Sequence, residues 1–186
     1  MIALKAEILM MVHSTNEEQK SVPFKTRILF SLGCIGFYFV ASAGIDKWAE
    51  HYSIGFESMV EGCLPYRAYL IKKDIKTANR HDLVFFSSKG MQPIAKDGLP
   101  VGKMVMGVAG DKVRIENGQL FINDKYLSSL KYGSDRLGKP INFWDKEYII
   151  PEGKIFVFGT EKKSWDSRYW GLYDVSGIRA NIQPLF

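Results

Sequence analysis

Cysteine and histidine are the side chains best suited to covalent or acid–base chemistry near neutral pH. This chain carries few of them: Cys34 and Cys63, and His13, His51 and His81. The histidines lack ligand spacing and neither an HExxH nor a CxxC occurs, so no metal and no cofactor is expected. Cys34 falls inside an apolar run and Cys63 well outside it, which predicts two free thiols and no disulfide. A free thiol, with a pKa near about 8.5, needs less help than a hydroxyl to act as a nucleophile. Lysine serves as a general base only where apolar burial brings its pKa well below about 10.4. Lys103 lies among Val101, Met104, Val105 and Met106, which supply such material, although a strand lysine standing alone would face water.

The elements that must position these residues begin with Ile28 to Ile45, 18 residues without a charge. As a helix this run is about 27 Å long and just spans a hydrocarbon layer of about 30 Å. Ala41-Ser42-Ala43 resembles a small-x-small cleavage site. The run is nevertheless long for a cleaved signal, and about two dozen residues precede it, so an uncleaved anchor is expected. Lys20, Lys25 and Arg27 precede the run, whereas Asp46, Lys47 and Glu50 follow it with little net charge. The positive-inside rule then places the N-terminus in the cytoplasm and everything after Trp48 outside it. The expected division is a cytoplasmic segment 1–27, a transmembrane helix 28–45 and an exported domain 46–186. Trp48 and Tyr52 suit the membrane interface.

After the anchor the pattern is that of short strands rich in β-branched and aromatic residues: Arg67–Lys73, Leu83–Phe86, Val101–Val108, Lys112–Ile115, Gln119–Ile122 and Lys154–Phe158. Asn117-Gly118 between two of them is a hairpin signal, and Asn123-Asp124 gives a second turn. A mainly β domain is expected. The formal charge of +5 arises from basic residues spread among acids, which argues against a nucleic-acid groove and suits a surface near anionic lipid.

Three segments in fixed order carry a resemblance. The first is Lys103-Met-Val-Met-Gly-Val-Ala-Gly-Asp-Lys-Val113, continuing into the Asn117-Gly118 hairpin. The second is Gly159-Thr-Glu-Lys-Lys-Ser-Trp-Asp-Ser-Arg-Tyr-Trp-Gly171, and the third is Cys63-Leu-Pro-Tyr-Arg-Ala-Tyr69. Together they resemble the type I signal peptidases, the membrane-bound Ser/Lys peptidases of family S26. Cys63-Leu64-Pro65 is similar to the nucleophile box of the conjugative transfer (TraF-like) branch. Asp82-Leu-Val-Phe-Phe86 is similar to a further strand of the family, with His81 where the family has glycine.

The resemblance implies one N-terminal transmembrane helix followed by a twisted, mainly β catalytic domain at the outer face of the inner membrane. It places Cys63 on the nucleophile, Lys103 on the general base and Ser164 on the serine that supports that lysine. Asp166 and Arg168 fall on a structural acid and base, expected as an exposed pair worth about 0 to 1 kcal/mol. The Cys63 N–H is the expected oxyanion donor. Glu61 stands where the family often has a hydroxyl. Ser58, followed by Met59 but lacking proline at the third place after it, is the rival nucleophile. The implied activity is endoproteolysis of an exported or membrane-held precursor, such as a conjugative pilin. The implied partners are that precursor, membrane lipid around the helix and other transfer-apparatus proteins. The rival reading from another class is a catalytically inactive assembly component that keeps the peptidase fold. A general secretory signal peptidase fits less well, because the chain is short and its nucleophile box is of the transfer type.

Overall fold

The computed structural model describes residues 23–57 and 62–186, and the chain divides into two compact units after Lys47. Ser58 and Glu61 lie outside the described residues. Helix α1 (Phe24–His51) contains the whole apolar run. It starts after Pro23, whose carbonyl accepts the Arg27 N–H and whose fixed φ suits a helix entry. It outlasts the uncharged run because Lys47, Ala49 and Glu50 are good helix formers. None of its residues is buried, and mean hydropathy reaches 2.0 over 18 residues. Among the described residues it is the one helix long and apolar enough to cross a membrane. Apolar surface on every side is what a helix needs when lipid is its solvent.

The second unit is built from two antiparallel sheets. Its strands are β1 (Tyr52–Phe56), β2 (Ala68–Lys72), β3 (Leu83–Ser87), β4 (Pro100–Gly107), β5 (Lys112–Glu116), β6 (Gln119–Ile122), β7 (Lys125–Ser129), β8 (Lys146–Ile149), β9 (Lys154–Phe158), β10 (Tyr173–Asp174) and β11 (Ile178–Pro184). The larger sheet has the order β1-β2-β11-β3-β4-β9-β10, and the smaller one β7-β6-β5-β8. Two short helices, α2 (Lys131–Leu137) and α3 (Ser167–Trp170), complete the unit.

The six expected strands are present, and Gln119–Ile122 and Lys154–Phe158 keep the bounds read from sequence. Both turn signals act as physics requires. Asn117 and Gly118 have φ of 48° and 66°, and Asn123 and Asp124 have 50° and 62°, the paired positive values of a two-residue hairpin turn. His81, at the glycine position of the resembled strand, itself adopts φ 72°.

Strand β4 carries the key side chain. Alternate residues of a strand face opposite sides, so Lys103, Val105 and Gly107 share one buried face. Lys103 stands directly across from Val84, and Val105 across from Val157, both fully buried. The main core lies on this side, where Val84, Phe86, Val105 and Val157 meet Val113, Leu120 and Ile150 of the smaller sheet and its flanks. A smaller cluster of Leu64, Tyr69 and Ile182, joined by Phe85 and Met104, forms separately.

Candidate active site

A lysine in a core-facing strand position must satisfy its ammonium or amine without water. Lys103 is 1% exposed, and its Nζ donates to Ser164 Oγ at 2.7 Å. Among the described residues it forms no ion pair with a carboxylate. Ser164 passes its own proton onward, donating to Asp166 Oδ2 at 2.8 Å. A hydroxyl has one proton to give, so Ser164 Oγ can only accept from Lys103.

Asp166 is the hub of the segment. It is fully buried, accepts Gly159 N–H at 2.9 Å, and caps α3 by accepting Arg168 N–H. Arg168 grips it through two parallel bonds, Nε to Oδ1 and Nη2 to Oδ2, each 2.7 Å. The pair was expected at the surface; the structure instead buries it, with Arg168 only 2% exposed. The cause is local. Arg168 also donates to Ser128 Oγ and the Ser164 carbonyl, and its guanidinium lies 4.4 Å from the centre of the Phe158 ring. Burial opposes the arginine's charge, but Asp166, with help from Tyr169 and Cys63, raises its pKa above the ordinary value. Breaking a buried pair of this kind costs about 3–5 kcal/mol, because the remaining charge stays buried.

Cys63 approaches the same segment through its backbone. Its carbonyl accepts Glu161 N–H at 3.4 Å, and its thiol is part-exposed and free. Gly159 marks the meeting point. A β-carbon there would lie 2.0 Å from Ser164 Oγ and 2.6 Å from the Cys63 carbonyl oxygen, so only glycine lets the two close on one spot. Lys103, Ser164, Asp166 and Arg168 are thus linked in one chain of hydrogen bonds, and the Cys63 backbone meets it at Gly159, just after β9. The Asp166–Arg168 pair and the Lys103–Ser164 bond are direct contacts.

Two depressions are lined by chain neighbours of Cys63, Leu64 in both and Gly62 in one. An apolar one of about 240 Å³ runs between the end of β1 and the start of β4, floored by Leu64, Tyr69, Phe85 and Ile182. Gly102 lines it too, and a β-carbon there would sit 3.1 Å from Ile182 Cδ1, so the floor is kept open by glycine. Burial first, then Glu57, Cys63 and Tyr66, push the Tyr69 hydroxyl up to about 12, and it donates to the Tyr66 carbonyl. The other depression, about 490 Å³, is lined by charged residues of the Thr160–Lys163 loop, with Gly62 and Pro65. Neither the groove nor the role of Gly159 was read from sequence. The glycine opening the Gly159–Gly171 box was the available signal.

A family model described as signal peptidase, peptidase S26, matches residues 27–186. Among curated proteins the chain is similar to Signal peptidase I U of Bacillus subtilis (strain 168), 32% identical over 108 residues, which cover 53% of this chain and 54% of that one. It is similar to Signal peptidase IB of Staphylococcus aureus, 35% identical over 98 residues, 45% of this chain and 51% of that one. Thylakoidal processing peptidase 1, chloroplastic, of Arabidopsis thaliana is 30% identical over 77 residues, 41% of this chain and 21% of that one. The chain thus spans about half the length of the bacterial relatives it matches. A crystal structure of a signal peptidase I from Enterococcus faecalis aligns with a TM-score of 0.38 at 24% identity, covering 59% of this chain and 99% of that one.

Proposed function

Because the chain belongs to the signal peptidase family, peptidase S26, we propose that it is a membrane-anchored endopeptidase that cleaves exported precursors with a Cys63/Lys103 dyad. The observation that carries this reading is Lys103 itself. A buried amine held by a serine hydroxyl, with no direct ion pair among the described residues, is costly for stability and suited to proton transfer. The part-exposed Cys63 thiol lies on the segment that closes on the same serine.

In the proposed reaction Cys63 Sγ gives its proton to Lys103 Nζ and forms a bond to the scissile carbonyl carbon. The Cys63 N–H faces the developing oxyanion. Collapse breaks the carbon–nitrogen bond, and Lys103 returns the proton to the leaving amine. Water, deprotonated by the same amine, then attacks the thioester, releasing the new carboxylate and restoring the thiol. Ser164 holds the amine, while Asp166 and Arg168 hold Ser164. The apolar groove suits small apolar side chains on the acyl side of the scissile bond. Helix α1 anchors the chain with Lys20, Lys25 and Arg27 on the cytoplasmic side of the inner membrane and the β domain outside. The Cys63-Leu64-Pro65 box supports the conjugative transfer branch, with a pilin-like precursor as substrate and transfer-apparatus proteins as partners.

The test is cleavage of a precursor by the full chain in detergent. Lys103→Ala and Lys103→Arg are both expected to abolish cleavage while circular dichroism still reports the β domain, because guanidinium keeps its proton near neutral pH. Full cleavage by Lys103→Arg would remove the lysine from this role. Failure of the unaltered chain to cleave any precursor would favour the inactive assembly component.

A further inference from the structure

The charged depression beside Cys63 is not used by the chemistry above, yet its geometry ties it to the nucleophile. Glu161 N–H donates to the Cys63 carbonyl, and Ser164 N–H donates to the Glu161 carbonyl at 3.0 Å. Glu161 to Ser164 is therefore a hydrogen-bonded four-residue turn with Lys162 and Lys163 at its corner. One end of this turn is fixed to the nucleophile's backbone and the other is the serine that holds Lys103. The backbone at the corner is thus tied to the backbone of Cys63.

Three cations, Arg67, Lys162 and Lys163, and two acids, Glu57 and Glu161, line the depression. Glu57, Arg67 and Lys163 have other interactions. Lys162 is exposed and makes no side-chain hydrogen bond or ion pair among the described residues. The apolar groove meets this depression at Glu57 and Leu64, and its remaining lining, with Tyr69, Ile71, Phe85 and Ile182, offers little to a charged side chain. Electrostatic complementarity of this kind sets specificity more than raw affinity.

Resting on the endopeptidase reading above, we propose that this depression is the leaving-group subsite, and that Lys162 is a specificity-determining residue favouring precursors with a carboxylate side chain shortly after the scissile bond. The retained segment of the precursor lies along the Glu161–Ser164 turn, and its acid pairs with the Lys162 ammonium.

The experiment uses the full chain in detergent and peptides with alanine at the first and third positions before the scissile bond. The peptides differ only at the second and third residues after it, as Asp-Asp, Ser-Ser or Lys-Lys. The unaltered chain is expected to show a kcat/KM about fivefold higher for Asp-Asp than for Lys-Lys, as for a solvated charge contact. Lys162→Glu is expected to invert this ratio, and salt at about 1 M, where the screening length is about 3 Å, to flatten it. Cleavage of all three peptides with the same ratio in both proteins overturns the subsite alone. Cleavage of none by the unaltered chain overturns the endopeptidase reading as well.

Discussion

Lys103 Nζ donates to Ser164 Oγ at 2.7 Å, and that hydroxyl is committed as a donor to Asp166 at 2.8 Å. Asp166 therefore fixes which way the Ser164 proton points, and so commits the Ser164 oxygen to accept from the amine. On this account the acid acts on the reaction at one remove, through the serine. Ser164→Ala is expected to lower kcat by about a hundredfold with little change in KM, as for loss of a group that orients a base. Asp166→Asn is expected to lower kcat as well, since an amide nitrogen can reverse the serine's polarity. Steady-state kinetics separate this from a structural effect, which would lower the folded fraction and leave kcat per folded molecule unchanged.

Gly159 is required by space and not by backbone conformation, because its φ is not among the positive ones. A methyl group there would meet Ser164 Oγ at 2.0 Å and the Cys63 carbonyl at 2.6 Å, and neither is a flexible chain end. Gly159→Ala is expected to push Cys63 away from the Lys103–Ser164 pair. Overpacking costs about 1–3 kcal/mol of stability, but a displacement of about 1 Å costs about a hundredfold in rate. Thermal unfolding beside precursor cleavage tests this, with cleavage the more severely affected of the two.

Asp111 closes the Gly110-Asp111 turn that leads β4 into β5. Burial would raise its pKa, yet the Val108 N–H, Arg80 and Asn123 together hold it below the ordinary value of 3.8. A carboxylate depressed in the folded state contributes stability that is present above the unfolded value and is lost as pH falls through the folded one. Asp111→Asn is expected to destabilise the domain at neutral pH. The gap to the unaltered protein should narrow once the pH drops below 3.8. Melting temperatures across that range measure it, and a gap that stays constant would contradict the assignment.

The parts of this structure that were legible in the sequence are those where a local requirement selects few residue types. Asn117-Gly118 and Asn123-Asp124 announce positive φ, and the uncharged run announces α1. Lys103 was legible only through its box, because composition alone puts a strand lysine in water. Strand β11 was not legible. Arg179 and Gln183 interrupt its apolar pattern, a register shift between Ile178 and Ala180 breaks the alternation, and both partners, β2 and β3, lie far away in sequence. The burial of the Asp166–Arg168 pair was not legible either, for a related reason. Its burial is imposed by Gly159, Ser164 and Ser128, residues that carry no charge signal of their own.

The central claim is that Cys63, and not Ser58, attacks the substrate. Its most direct measurement is cleavage of one precursor by the full chain and three variants, with mass spectrometry to locate the acyl adduct when deacylation is slowed. Cys63→Ala is expected to abolish cleavage and Cys63→Ser to retain some, because the hydroxyl needs more activation than the thiol. Alkylation of the thiol should inhibit, Ser58→Ala should be nearly silent, and the adduct should map to Cys63. An adduct on Ser58, with Ser58→Ala inactive while Cys63→Ala still processes the precursor, would contradict the account.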